Sequence, residues 1–239
     1  QSIEERTACL SIIGDDPDGL AGADSSKLKA SMIGRSKALR NYMKAIMSDE
    51  CPWCVVSAST VGWAKRLFPE LTDEEAYLKL WDQILSACRA KGEDPVADWE
   101  EHISILDEKA KFLHENELVK LHITNELGTD LYVGLPKGHI WQSAGSYAKK
   151  ADRFVANIPT EEVFTMPHKE QTSGIVYNAK PLNYSGVLID NFWLKFEDGK
   201  VVDFGAERGY DVLKNLLETD EGSRRIGEMA LVPYDSPIS

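Results

Sequence analysis

The spacing of apolar residues changes near residue 116, and this change limits the folds that the chain can adopt. Before it, apolar residues recur at helical spacing, as in TDEEAYLKLWDQILSACRAK (72–91). After it, apolar and polar residues alternate as in strands, for example in ELVKLHITN and TDLYVGLP (117–125 and 129–136). We therefore predict a mixed α+β fold. A partial, doubly wound-like α/β domain would occupy residues 1–115, and a partial, mostly antiparallel β domain residues 116–239.

Local signals support this division of the chain. The stretch WCVVSAS (53–59) predicts a strand between helices, which is typical of a parallel α/β layer. Thr72 and Glu75 have the spacing of a capping box at a helix start. Asp94 followed by Pro95 predicts the start of another helix. In the second half, Asp198-Gly199 predicts a tight hairpin, because these residue types tolerate positive φ angles.

Composition and charge exclude some classes of function. The net charge of −12 over 239 residues argues against a protein that binds the nucleic-acid backbone. No apolar run approaches the roughly 20 residues of a membrane span, so no membrane partner is expected. The first residues have no signal-peptide pattern and no initiator Met. The last residues come directly after a strand-like apolar run, with no further helix or strand behind it. We expect a fragment of a longer, cytoplasmic protein from a reducing compartment.

The most prominent short motif is CPWC, formed by Cys51 and Cys54. A redox pair needs a thiolate activated at a helix start, but a predicted strand follows Cys54 here. Half of a zinc site would need a second Cys or His pair at ligand spacing, which is missing. We therefore expect two structural cysteines, and a redox module built on this pair stays as an alternative.

Histidines and glutamates are the candidate metal ligands. His102 lies on a predicted helix with charged neighbours and is expected at the surface or between domains. His139 lies in a loop next to Gly138, where a binding role is open, and His168 follows Pro167.

Two carboxylates stand at the entrances of predicted strands. Glu162 precedes the strand VFT, and Glu228 precedes the strand MALV. Strands hold carboxylates rigidly, and oxygen donors together with imidazole suit zinc, manganese or cobalt. Solvated residues at strand ends are the alternative interpretation.

Several segments together resemble one family, the metal-dependent aminopeptidases of the aminopeptidase T, aminopeptidase S and PepS type. These segments are IPTEEVFTMPHKE (158–170), YSGVLIDNFWLKFEDGKVVDFGAERG (184–209) and LLETDEGSRRIGEMALVPYDSPIS (216–239). The resemblance runs from about residue 9 to the last residue. It implies an N-terminal α/β domain and a catalytic domain that carries two divalent metal ions, which could be zinc, cobalt, manganese or magnesium. It also implies a homodimer that removes N-terminal residues from peptides with a free N-terminus.

The resemblance implies roles for particular residues as well. Glu162 and Glu228 correspond to metal ligands, and Glu228 is also the candidate catalytic residue, because it could bridge the metals or accept a proton. Glu161 is then expected to be a turn residue, and His139 and His168 rank lower, as residues around the ligands. Further ligands, histidines and an aspartate, would lie beyond Ser239, so this chain alone is expected to be inactive. The alternative is a non-catalytic fragment that binds substrate or forms the dimer.

Overall fold

Helices are concentrated before residue 116 and strands after it, which confirms the predicted α+β class. The computed structural model describes residues 7–17, 19, 25–149, 153–184 and 187–238. Its helices are α1 (Ser25–Ala38), α2 (Arg40–Met47), α3 (Val61–Leu67), α4 (Asp73–Ala87), α5 (Pro95–Glu115) and α6 (Tyr210–Leu217). Its strands are β1 (Cys9–Ile13), β2 (Trp53–Ser57), β3 (Lys120–Thr124), β4 (Asp130–Gly134), β5 (Gly145–Tyr147), β6 (Arg153–Val155), β7 (Asn157–Ile158), β8 (Val163–Thr165), β9 (Thr172–Tyr177), β10 (Leu182–Tyr184), β11 (Val187–Glu197), β12 (Lys200–Arg208) and β13 (Met229–Leu231). None of the helices in the described ranges has the length and apolarity that a membrane crossing requires.

The chain forms two compact units, each assembled from separate stretches of sequence. The first unit comprises residues 1–108, 143–162 and 232–239, and the second comprises residues 109–142 and 163–231. These units are defined by contacts and not by sequence pattern, so the predicted domain boundary near residue 116 remains a prediction.

A parallel sheet of three strands forms in the first unit, in the order β1–β2–β7. β2 pairs with β1 along its whole length, and Val55 and Val56 pair with β7. Parallel neighbours need a crossover connection, and α1 and α2 lie between β1 and β2 in the sequence. The predicted parallel α/β layer around WCVVS is therefore confirmed.

Small apolar residues allow α3 and α4 to pack closely in the first unit. Ala64 of α3 and Ala76 of α4 are completely buried. Their core cluster also contains Leu80, Ile84 and Cys88. Ile158 of β7 packs against this cluster, so the third strand of the sheet contacts the helical layer.

The predicted helix starts are also confirmed. The Thr72 backbone N–H donates to Glu75 Oε2 at 2.9 Å, and the Glu75 backbone N–H donates to Thr72 Oγ1 at 3.3 Å. This is a complete capping box at the start of α4. At the start of α5, Asp94 Oδ1 accepts from the Ala97 backbone N–H at 3.1 Å. Both caps satisfy donors that a helix leaves unpaired in its first turn.

The second unit is built on an antiparallel sheet, in the order β10–β11–β9–β4–β3 with β12 paired to β11. One face of this sheet packs against α6. The buried residues of this core are Leu131, Val133, Ile189, Phe196, Val201, Leu213 and Leu217. Because consecutive strand residues alternate between faces, the period-two pattern of the sequence supplies one apolar face for this contact.

Asp198 and Gly199 form the hairpin turn between β11 and β12, as predicted. Both have positive φ angles, 48° and 75°, and the pair Glu197 and Lys200 closes the turn. A Cβ on Gly199 would lie 2.1 Å from the Lys169 carbonyl oxygen. Glycine is therefore required here for two reasons, the backbone conformation and the space around it.

We expect Gly199→Ala to lower the free energy of unfolding by more than the roughly 1–2 kcal/mol of a left-handed non-glycine residue. The excess arises because the new methyl group must displace the Lys169 carbonyl. Gly138→Ala is the matched control, since Gly138 has a φ of 77° but no heavy atom within 4 Å of the added Cβ. Urea unfolding of both variants measures the difference, and equal losses for the two would contradict the steric argument.

Candidate functional site

A short antiparallel ladder positions the predicted ligand Glu228. β13 pairs with β8, with Met229 opposite Thr165 and Leu231 opposite Val163. Val163 and Thr165 are buried, and Glu228, the residue before β13, is exposed. Glu162 is the residue before β8 and is half-buried. Because the strands are antiparallel, the two glutamates enter the ladder from opposite ends.

A loop is fixed to the other edge of β8. Gln142 and Phe164 exchange two backbone hydrogen bonds, at 2.8 and 2.9 Å. The Thr165 hydroxyl adds a third bond, because it donates to the Ile140 carbonyl at 2.8 Å. β8 is thus held on both edges within the second unit, by β13 and by the loop.

The loop, β8 and the residues before β13 enclose a cavity of about 450 Å³. Glu228, His139 and Lys137 contribute titratable groups to its lining. The apolar part of the lining comes mainly from Ile140, Phe164 and Met166. Ligand pockets have volumes of roughly 300–1,000 Å³ and combine apolar walls with a few polar groups, and this cavity has both properties.

The orientation of His139 leaves one ring nitrogen available in the cavity region. Its Nδ1 lies 3.0 Å from the Pro136 carbonyl oxygen, which can only accept, so Nδ1 carries the proton. The neutral ring then keeps its lone pair on Nε2. The ring also packs edge-on against Trp141, with centroids 6.2 Å apart. A histidine held in this way can accept a hydrogen bond or coordinate a metal through Nε2.

His168 lies at a different groove from Glu228. Its Nδ1 accepts a hydrogen bond from the Glu170 backbone N–H at 3.1 Å. The groove beside it is also lined by Lys200 and Arg225, neither of which lines the cavity of Glu228. The structure therefore brings His139 and Glu228 to one cavity, and His168 to another.

Glu161 is not a turn residue in solvent, and this expectation was wrong. Only 1% of its surface is exposed. Arg89 donates from Nε and Nη2 to the two carboxylate oxygens, at 3.1 and 2.7 Å. This is the bidentate geometry that arginine and carboxylate groups form with high strength. The acidic doublet EE suggested a solvated turn because its partner lies 72 residues away in the sequence.

His102 is buried as well, so of its two predicted locations, at the surface or between domains, the surface location was wrong. Its exposed fraction is 7%, and its Nε2 donates to the Thr160 carbonyl at 2.8 Å. The same nitrogen lies 3.4 Å from Glu161 Oε1. The charged neighbours of His102 on α5 suggested exposure, but the ring points to the face that packs inside the first unit. Arg89 was missed altogether, because no local pattern marks it.

Comparison with known proteins identifies the family of this chain. The family model described as thermophilic metalloprotease (M29) matches residues 1–239. The chain belongs to the thermophilic metalloprotease (M29) family. Aminopeptidase AmpS of Bacillus subtilis (strain 168) is 47% identical over 232 residues, which cover 97% of this chain and 56% of AmpS. Aminopeptidase T of Thermus aquaticus is 44% identical, over 100% of this chain and 58% of that protein.

A solved structure supports the fold of this M29 family member. Wild-type AmpT from Thermus thermophilus superposes with a TM-score of 0.92 at 39% identity. The match covers 99% of this chain and 58% of that structure. The chain thus spans between 56% and 58% of the length of these relatives.

The donors of this M29 chain match a divalent ion in kind but not in number. Carboxylate oxygen from Glu228 and Glu162 and imidazole nitrogen from His139 are ligands that zinc, manganese or cobalt accept. Among the residues that the structure describes, no three His, Cys, Asp or Glu side chains gather closely enough to hold a metal ion. The described residues on their own therefore do not form a complete site for a divalent ion.

The CPWC cysteines have the properties of structural thiols. Cys51 is 1% exposed, and Cys51 and Cys54 are both free thiols. Burial raises the pKa of the Cys51 thiol, and the neighbouring Cys9 raises it further. Burial also raises the pKa of Cys54. Both thiols are thus poor nucleophiles at neutral pH, the reverse of a redox pair.

We expect iodoacetamide to modify Cys51 and Cys54 more slowly than free cysteine at pH 7. Because the pKa values are raised, the thiolate fraction, and hence the rate of modification, should increase only at a higher pH than it does for free cysteine. The same reaction in urea is the control, because unfolding removes the burial and should restore the ordinary rate. Rapid labelling of either thiol in the folded protein would instead favour the redox alternative.

Proposed function

We propose that this protein is a metal-dependent aminopeptidase that releases N-terminal amino acids from peptides by hydrolysis. The match of the M29 family over residues 1–239 carries the proposal. Relatives that cover 97% and 100% of the chain bear the name aminopeptidase, which supports it. Peptides with a free N-terminus are then the substrates.

We assign two divalent metal ions to the enzyme and take zinc, cobalt, manganese and magnesium as the candidates. Glu162 and Glu228 are two of the proposed ligands. The match to the M29 family over residues 1–239 supports this assignment. Each glutamate directly precedes a short strand, Glu162 before β8 and Glu228 before β13. Divalent ions bound in a hydrolase polarise a carbonyl oxygen and lower the pKa of water.

Glu228 has a second role in this proposal, as the group that accepts a proton during hydrolysis. Its exposed carboxylate lines the same cavity as His139, so both can approach one bound substrate. His139 would accept a hydrogen bond at Nε2, because the Pro136 carbonyl occupies its Nδ1–H. His168 lines another groove and keeps only the outer role that the sequence suggested.

The cavity itself fits the end of a peptide. Its volume of about 450 Å³ lies within the roughly 300–1,000 Å³ of small-ligand pockets. Ile140 and Met166 are exposed by 62% and 67%, although both are apolar. Apolar side chains that line a cavity stabilise an apolar ligand, so a substrate with an apolar first residue suits this lining.

A non-catalytic protein that binds peptides or forms dimers is the alternative. The two hypotheses differ in one observable, because only the enzyme releases free amino acids when a metal is supplied.

A homodimer and a cytoplasmic location belong to the same proposal as the enzyme. The mass of the protein in solution tests the first of these.

We expect Glu162→Gln and Glu228→Gln each to lower metal-dependent hydrolysis by more than about 100-fold in the full-length protein. Loss of an outer partner of a metal ligand costs roughly 10–100-fold, and loss of a ligand itself should cost more. Release of p-nitroaniline from leucine p-nitroanilide, at a fixed zinc or cobalt concentration, measures the rate. Glutamine keeps the size of the side chain, so the fold should be retained.

Glu170→Gln is the matched control for these variants. Glu170 is an exposed glutamate of the second unit and lines the groove of His168, not the cavity of Glu228. Its rate should stay within about twofold of the parent, since surface substitutions change little. Wild-type turnover in Glu162→Gln or Glu228→Gln would remove that residue from the site. No hydrolysis by the parent with any of the four metals would favour the non-catalytic alternative.

A further inference from the structure

The ion pair between Arg89 and the buried Glu161 fixes the residue directly before a proposed metal ligand. Both carboxylate oxygens of Glu161 are engaged by the guanidinium, at 3.1 and 2.7 Å. The Glu161 side chain is 1% exposed, and that of Arg89 is 34% exposed. Two parallel N–H donors fix the direction as well as the position of a carboxylate. The Glu161 side chain therefore has little freedom to move.

Arg89 is itself held firmly at the end of α4. It has a left-handed conformation, with φ of 53°, directly after the helix. The Ala90 backbone N–H donates to the Leu85 carbonyl at 2.8 Å, which closes this end of the helix. The Trp99 indole N–H from α5 donates to the Cys88 carbonyl at 2.7 Å. Both helices thus fix the backbone from which the Arg89 side chain extends.

Two further contacts hold the segment that leads to Glu161. Ile158 pairs with Val56 of the parallel sheet and packs on the core of α3 and α4. His102 of α5 donates from Nε2 to the Thr160 carbonyl at 2.8 Å. Residues 158, 160 and 161 are therefore anchored in turn within the first unit, by the sheet, by α5 and by the end of α4.

Glu162 is linked to Glu161 because the two residues are adjacent in the chain. Burial alternates from Glu161 to Thr165, with residues 161, 163 and 165 buried and residues 162 and 164 half-buried. The contact with Arg89 fixes the Glu161 side chain in the interior, and this restricts the backbone from which the neighbouring Glu162 side chain extends. Without Arg89, the buried Glu161 carboxylate would lose two charged donors and keep His102 Nε2 at 3.4 Å, which favours a shift of the segment toward solvent.

We propose that Arg89, acting through Glu161, is a positioning residue that sets the orientation of Glu162 as a metal ligand. This inference rests on the proposed function, because it takes Glu162 to be a ligand. The competing interpretation is an ion pair that only stabilises the fold. The two differ in the affinity for metal, which a purely stabilising pair would leave unchanged.

The test measures two quantities in the full-length protein: the zinc dissociation constant, by competition with a chelator, and the melting temperature of the metal-free form. Arg89→Met keeps the apolar stem and removes the guanidinium, and we expect it to raise the dissociation constant about 10–100-fold, as outer partners of metal ligands do. Arg89→Lys keeps the charge but not the two parallel donors. Arg89→Lys should therefore recover part of the zinc affinity that Arg89→Met loses. It also tests the inference if Arg89→Met fails to fold.

Leu80→Ala is the control for stability alone. Leu80 lies on the same helix, is 2% exposed and belongs to the core of α3 and α4. We expect it to lower the melting temperature at least as much as Arg89→Met, with the zinc dissociation constant within twofold of the parent. The inference is overturned if Arg89→Met and Arg89→Lys both bind zinc with the dissociation constant of the parent.

Glu162→Gln separates this inference from the proposed function. If it weakens zinc binding while the Arg89 variants do not, Glu162 remains a ligand and only the positioning role fails. If Glu162→Gln binds zinc as tightly as the parent, the ligand assignment fails and the inference fails with it. Weaker binding in Glu162→Gln and in Arg89→Met, with Leu80→Ala unchanged, supports both.

Discussion

The ion pair of Glu161 and Arg89 is the constraint on which the arrangement of the first unit depends. Removing a carboxylate from water costs several kcal/mol unless hydrogen bonds and an opposite charge compensate for it. Here one arginine supplies both, with two donors at 3.1 and 2.7 Å. The end of α4 and the segment after β7 must therefore keep the positions that preserve this contact. Any fold that separated them would remove both guanidinium donors from the buried Glu161 carboxylate and leave it with His102 Nε2 at 3.4 Å.

Local signals in the sequence predicted the elements well, because the interactions behind them span only a few residues. The capping box of Thr72 and Glu75 joins residues three positions apart, and both of its bonds are present. Asp198 and Gly199 have the positive φ angles that their residue types predict. The change from helical to alternating spacing of apolar residues predicted the α+β class, because this spacing is also a local property of the sequence. The family followed from matching segments, and residues 1–239 belong to it.

The sequence did not predict the buried charges, because their partners are distant in the chain. The doublet Glu161-Glu162 has the composition of a solvated turn, and only the arginine 72 positions earlier makes Glu161 a buried residue. The burial of His102 was not predicted for a similar reason, since its partner is the Thr160 carbonyl rather than a neighbour on α5. The orientation of His139 depends on a bond to Pro136 inside a loop that β8 holds in place. Contacts between residues this far apart in the sequence form only in the folded chain, so local patterns do not predict them.

The central proposal is that Glu162 and Glu228 are ligands of the two catalytic metal ions. Anomalous X-ray scattering from crystals of the zinc-loaded, full-length protein tests it most directly, because it locates the metal without an assumption about the ligands. The account predicts anomalous peaks about 2.0–2.2 Å from a carboxylate oxygen of each glutamate. Peaks that lie elsewhere, with neither glutamate within bonding distance, would contradict it.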